Sequence, residues 1–253
     1  MKRIVIYIII SQLLTSCFSG MFQRDTWISP KVVLSKDDSV LIEKETTYTQ
    51  ALKLNPKNAA DLYYKRANVR YEMGKKHVNG DTYVHYKRAN KDFSKAIELN
   101  SAKYNTDTVY YMEGQCATLY YLSRAAYSNN VNYTTNSWGS LAAAPAGSGG
   151  NPYRKAINYF TKAIKLNPNY ADAYFERGQC MYSMSKKREA IEDYTKAIKL
   201  NTRYAAEAFY QRALCKFDLK DKDGGCTDLS NAFSLGYKQD RNVYDYFGHN
   251  GCK

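Results

Sequence analysis

The sequence predicts an all-α fold, a solenoid of stacked helix–turn–helix units, on three observations. The segment RKAINYFTKAIKLN at Arg154–Asn167 recurs 34 residues later as REAIEDYTKAIKLN at Arg188–Asn201. Between the copies, Ala171–Ser183 carries Ala173, Tyr174, Gly178, Met181 and Tyr182 at helical spacing. The copies themselves share a small–aromatic–small stripe, Ala156, Phe160 and Ala163 in one and Ala190, Tyr194 and Ala197 in the other. Small residues let two helix axes approach to the lower end of ~8–10 Å, and the aromatic ring fills the wedge beside them. One such pair cannot bury its own apolar face, so neighbouring pairs must complete the core.

The first 16 residues stand apart from this pattern. Lys2 and Arg3 precede the apolar run Ile4–Ile10 with Leu13 and Leu14, as in a secretory signal. Residues 17–38 lack periodicity and contain Gly20 and Pro30. They read as a tether, or as an extended segment packed on the first helix through Trp27 and Val32–Leu34. Nowhere is there an apolar run of about 18 residues or more that would span a bilayer.

The array occupies residues 39–253. It opens on an unpaired second-type helix at 39–55, whose ending Ala51-Leu52-Lys53-Leu54-Asn55-Pro56 matches Ala163–Pro168. Repeats follow near 60–100, 107–167, 171–201 and 206–236, with a polar cap at 237–253. The first repeat holds Ala67 and the stripe Ala89, Phe93 and Ala96. Its Ala67-to-Ala89 interval is 22 residues against 12 from Gly178 to Ala190, which places an insertion around Lys75–Tyr86. In the second repeat Gly114 and Ala156 lie 42 residues apart. Within that interval the charge-free 128–151 segment reads as disordered or as a functional loop anchored by Tyr133, Trp138 and Leu141.

The repeat unit resembles the tetratricopeptide repeat (TPR), which implies a right-handed superhelix with a concave face lined by the first helix of each pair. By that resemblance the partner-binding residues are Tyr64, Asn68, Tyr111, Gln115, Phe175, Gln179 and Tyr210. An aromatic row interleaved with amides suits a protein or peptide segment. TPR domains that clamp a terminal carboxylate carry lysine, asparagine and arginine at set positions; Asn68 alone fits, so carboxylate capture is not expected. Leu14-Thr15-Ser16-Cys17 resembles the lipobox of bacterial lipoproteins, which implies lipidation (palmitate and related acyl chains) at Cys17 and a chain anchored in the cell envelope. The alternative is an ordinary signal peptide. Phe18, in place of the aspartate associated with inner-membrane retention, favours the outer membrane. The ending Asp223–Leu229, Leu235-Gly236 and Cys252 resembles the terminal repeat of bacterial TPR lipoproteins.

Cys116, Cys180 and Cys215 recur two residues after the small crossing position and read as small buried apolar residues. Cys226 and Cys252 would meet if the tail folds back on the last pair, and an exported protein permits that bridge. His77 and His85 flank Asp81, but no metal-binding spacing supports a site there. No phosphate loop, nucleophile elbow or spaced acid pair appears, so the expectations are no catalytic residues, no metal, no cofactor and no nucleic-acid partner. Arg66, Arg177 and Arg212 recur just before the crossing residue, with their guanidinium groups expected to reach solvent or a neighbouring carboxylate. The whole reads as a membrane-anchored, non-catalytic scaffold for protein–protein interaction. The competing reading uses the excess of 37 Lys and Arg over 24 Asp and Glu: a basic adaptor for an acidic glycan or an anionic lipid surface.

Overall fold

A computed structural model describes residues 36–78, 82–129, 152–237 and Cys252. The leader, Cys17, the tether up to residue 35, residues 130–151 of the inserted segment and the cap other than Tyr237 and Cys252 lie outside the described residues. What is described is helical, with no strand among it. The elements are α1 (Lys36–Lys53), α2 (Ala59–Lys75), α3 (Thr82–Leu99), the single turn α4 (Ser101–Tyr104), α5 (Asp107–Asn129) and α6 (Pro152–Leu166). There follow α7 (Ala171–Ser183), α8 (Lys187–Lys199), α9 (Ala205–Asp218) and α10 (Lys222–Ser234). The pairs α2–α3, α5–α6, α7–α8 and α9–α10 are the four repeats, and α1 packs on α2 ahead of them.

Each helix ends where its sequence changes. Asn55 and Asn201, just past α1 and α8, adopt left-handed φ of 47° and 56°, a conformation asparagine tolerates. Thr202 N–H then reaches back to the Ala197 carbonyl at 3.1 Å, closing the last turn of α8. At the other end of a helix, Asp221 accepts the Gly224 N–H at 3.0 Å and starts α10.

The core is a chain of clusters that follows the repeats, as a solenoid requires, with a further one of Val69, Met73 and Val78 under Leu41, Ile42 and Tyr48 of α1. Phe93 with Ala89 and Ala96, Phe160 with Ala156 and Ala163, and Tyr194 with Ala190 and Ala197 are fully buried. The facing helix makes room for them. A Cβ on Gly178 would stand 2.8 Å from the Tyr194 ring, and one on Gly114 would stand 2.5 Å from Phe160. Gly-to-Ala in a helix would ordinarily gain up to about 1 kcal/mol. Here the overlap with a ring that cannot move costs about 1–3 kcal/mol, so packing wins.

The insertion around Lys75–Tyr86 lengthens the helices: Lys75 ends α2 and residues 82–86 open α3, with residues 76–78 in a turn. α2 and α3 each run on beyond the length of a standard repeat, and Gly74 meets Tyr86 as Gly178 meets Tyr194. Tyr86 is buried and edge-on to Tyr71, with ring centroids 5.9 Å apart. Two extra turns thus repeat the small–aromatic contact seven residues further along each helix. His77 and His85 are taken up in this extension. The Nδ1 of His77 pairs with Thr82 Oγ1 at 2.9 Å, and buried His85 meets the Val78 carbonyl through Nε2 at 2.9 Å. Cys226 and Cys252 form a disulfide with Cα atoms 5.5 Å apart, which ties the chain end to α10. Cys116, Cys180 and Cys215 are buried thiols.

Candidate functional site: the concave face and the ties behind it

The first helices α2, α5, α7 and α9 present the row that sequence spacing assigns to a partner. Its members differ. Tyr64, Asn68, Gln115 and Tyr210 are half-buried. Tyr111 and Phe175, each 3% exposed, and Gln179, 5% exposed, are buried. The reading of Tyr111 and Phe175 as surface anchors is therefore corrected, and the cause is a second tyrosine series in the turns between repeats. Tyr170 lies 4.9 Å from Tyr111, and Tyr204 stacks on Phe175 at 4.7 Å. Tyr104 stacks on Tyr64 at 4.9 Å, and Tyr237 on Tyr210 at 4.4 Å. Every aromatic of the row has a ring partner from the segment that follows its repeat, which buries Tyr111 and Phe175 and leaves Tyr64 and Tyr210 half-buried. The ring pairs are seams between repeats, worth about 0.5–1.5 kcal/mol each beyond their buried area.

The amides behave differently along the row. Asn68 donates to the Tyr64 carbonyl of its own helix at 2.9 Å. Gln115 is saturated: Tyr71 Oη donates to its Oε1 at 2.8 Å, while its Nε2 donates to Tyr111 Oη at 2.9 Å and Glu176 Oε1 at 3.2 Å. One repeat later Gln179 accepts from Tyr194 Oη at 3.2 Å, but its buried Nε2 has no partner. The reason is readable in the sequence. Phe175 stands where Tyr111 supplies a hydroxyl, and Gln211, whose own Nε2 donates to Glu207 at 2.9 Å, stands where Glu176 supplies a carboxylate. Glu176 itself is buried, and desolvation raises its carboxyl to about 7 against the Gln115 bond that favours the charge.

Behind the row, the recurring arginines bind three helices at once. Arg177 donates from Nε and Nη2 to both oxygens of Asp193 on α8, at 2.8 and 2.7 Å, and from Nη1 to Thr161 on α6 at 3.1 Å. Arg66 does the same to Asp92 and Thr49, and Arg212 to Asp228 and Thr195. Each therefore joins its own pair to the preceding helix, α1 for Arg66 and the second helix of the preceding repeat for Arg177 and Arg212. Each also lies over the aromatic three residues earlier, Tyr63, Tyr174 or Phe209, at 5.3–5.5 Å.

The second repeat breaks this rule. Glu113, 1% exposed, replaces the arginine, and Tyr159 replaces the aspartate. Ser94 of α3 donates to the Glu113 carboxyl, Asn90 Nδ2 donates to its main-chain carbonyl at 3.1 Å, and Lys155 and Lys162 of α6 lie nearby. Burial outweighs these groups and raises the Glu113 carboxyl to about 7. Because the folded group holds its proton above the usual value near 4.5, the native state binds a proton the unfolded chain has lost between those values. Stability from this group is therefore present below about pH 4.5 and is lost as pH rises through about 7. Glu113→Gln should remove on the order of 2 kcal/mol of pH dependence between pH 5.5 and 8, read by urea unfolding at both values. Glu176, with Asp193 and Glu207 whose carboxyls burial also raises, would supply the slope that remains. An unchanged slope in the variant would mean that Glu113 is ionised in the fold.

No helix of the described residues is long and apolar enough to cross a membrane, and no group of three or more metal-ligating side chains appears among them. Two family models match the sequence, TPR repeat at residues 150–185 and tetratricopeptide repeat at 171–204. No curated protein matches the chain. Solved structures do. The crystal structure of MamA aligns with a TM-score of 0.55 at 19% identity, over 78% of this chain and 90% of that one. YrrB, described as a TPR protein with an unusual peptide-binding site, aligns at 0.55 and 19% identity over 84% and 86%. The MamA RS-1 ArsTM double mutant aligns at 0.51 and 15% identity over 82% and 98%. The fold is that of a TPR solenoid, and residues 150–204 match the models of that repeat.

Proposed function

We propose that this chain is a membrane-anchored, non-catalytic scaffold whose concave face receives a polypeptide segment. The observation that carries the reading is the unmatched Nε2 of Gln179. A buried N–H left unpaired costs about 1–3 kcal/mol. Gln115, at the same register one repeat earlier, bears no such cost because its amide is fully bonded. A main-chain carbonyl of a bound segment would relieve it, with a small rotation of the Gln179 amide, and half-buried Asn68, Gln115 and Tyr210 would flank the segment with polar tips. YrrB, similar in fold, is described as having a peptide-binding site, which supports a polypeptide as the partner.

The anchoring half of the reading rests on Lys2, Arg3, the Ile4–Ile10 run and Cys17. Expressed at native level, Cys17→Ser should leave the chain unprocessed or release it from the membrane fraction. Unchanged fractionation together with an unchanged N-terminus would contradict a lipid on Cys17. With the leader removed and the envelope as destination, the Cys226–Cys252 disulfide falls in a compartment that sustains it.

A further inference from the structure

The outer faces of the second helices are not alike in charge. On α6, Arg154, Lys155, Lys162 and Lys165 are exposed, and the helix contains no acidic residue. On α3, Lys87 and Arg88 are exposed at the positions of Arg154 and Lys155, and Lys91 at that of Asn158; none of the three pairs with a carboxylate among the described residues, whereas Lys95 pairs with Glu98. Lys155 Nζ donates to Asn90 Oδ1 of α3 at 3.1 Å, so the two helices form one continuous face. On the neighbouring second helices the field is interrupted by acids or falls away. On α8, Arg188, Lys196 and Lys199 repeat Arg154, Lys162 and Lys165, but Glu189 and Glu192 stand where α6 has Lys155 and Asn158; on α10 the row equivalent to Lys155, Asn158 and Lys162 is Gly224, Thr227 and Asn231. On α1 it is Glu43, Thr46 and Gln50. What sets α6 apart from α8 is therefore the absence of interleaved acids rather than the number of basic residues.

Two further features describe what this face would meet. The heads of Lys155 and Lys162 lie over half-buried tyrosines, Lys162 at 5.1 Å from the Tyr110 ring and Lys155 at 5.6 Å from that of Tyr159. Basic heads above aromatic bodies are the arrangement found at headgroup depth. The one acid beneath them, Glu113, is the residue that replaces the tie arginine, and it is buried rather than exposed to compete for the lysines. Five of the seven exposed basic groups named on this face are lysines. The face is an array of separate point charges, suited to a layer of anionic groups rather than to a single ligand.

We propose that the outer face of α3 and α6 docks on an anionic phospholipid headgroup layer, leaving the concave face turned away from the membrane and open to its partner. This rests on the membrane-anchored reading above: a lipid at Cys17 would keep the basic face within reach of headgroup charge, where each lysine adds to binding and salt weakens it.

The test uses the full chain carrying Cys17→Ser, made without lipid, and cosedimentation with vesicles. Vesicles of phosphatidylcholine and phosphatidylglycerol should bind it, those of phosphatidylcholine alone should not, and raised salt should release it. Lys87→Glu/Lys91→Glu/Arg154→Glu should weaken binding by about tenfold or more, while the charge-matched Lys53→Glu/Lys199→Glu/Lys222→Glu stays within about threefold of the parent. Circular dichroism melts confirm that both triples fold; if the first does not, Lys→Gln at the same lysines serves in its place. Absence of binding to the anionic vesicles overturns the proposal, as does an equal loss in both triples, which would reduce it to net charge. Tighter binding to heparin or to duplex DNA than to vesicles would assign the face to a different polyanion. Cys17 processing, measured on the unsubstituted chain, reports on the anchor alone, so the two readings can fail separately.

Discussion

Tyr111→Ala/Phe175→Ala should leave the array largely unfolded at room temperature. Both rings are buried, Tyr111 against Tyr170 and Phe160 and Phe175 against Tyr204 and Tyr194. Truncating a buried aromatic costs about 3–5 kcal/mol, and a domain has only about 5–15 kcal/mol in hand. The two sites lie in successive seams, so their losses should nearly add. Tyr64→Ala, at a half-buried ring of the same row, should cost less than half as much as either single change. Urea unfolding followed by circular dichroism measures all four chains. A loss under about 1 kcal/mol in the double variant would return these rings to the binding surface and undo the packing assignment.

Arg177→Ala should cost about 3–5 kcal/mol, because it strands the Asp193 carboxylate in a site from which water is largely excluded. Burial pushes the Asp193 carboxyl up and the Arg177 guanidinium opposes it; the two-pronged geometry keeps the pair ionic. Asp193→Ala should cost less, since the arginine retains Thr161 and some access to water. Arg177→Met/Asp193→Leu should recover much of the loss, as apolar replacement of both members of a buried pair often does. The exposed Lys95–Glu98 pair sets the scale of an ordinary surface contact, with a change of at most about 0.5 kcal/mol. Strict additivity around the Arg177–Asp193 cycle would show that the tie contributes nothing as a pair.

The repeat itself was legible because its signals are local. Gly178 and the Ala190–Tyr194–Ala197 stripe encode one helix crossing, and the duplicate at Arg154–Asn167 repeats it. The extension of the first repeat was legible too, had Gly74 and Tyr86 been set against Ala67 and Phe93, each seven residues away. The ties could have been found by spacing: Arg177–Asp193 and Arg212–Asp228 are both 16 residues apart, and Arg66–Asp92 is 26, longer by the same ten-residue insertion. What spacing alone could not give was the fate of Tyr111 and Phe175. Their position on the first helix suits either a groove or a seam, and the choice is made by Tyr170 and Tyr204, three residues past Asn167 and Asn201, in turns that carry no helical period. The unmet Gln179 donor arises the same way, from one missing hydroxyl at Phe175 in an otherwise repeated network.

The central claim, that the concave face is where a polypeptide partner binds, is tested most directly by a photo-crosslinking residue placed at one site at a time in the full-length chain in cells. Asn68 on α2 and Tyr210 on α9 sample the concave face, and Lys196 on α8 samples the outer face. The account predicts the same discrete protein adduct from Asn68 and Tyr210, absent from Lys196 and reduced by Gln179→Leu/Tyr194→Phe. That double variant removes the Gln179 donor without stranding the Tyr194 hydroxyl. A protein adduct confined to Lys196, or one at the concave sites that the double variant leaves unchanged, would contradict it.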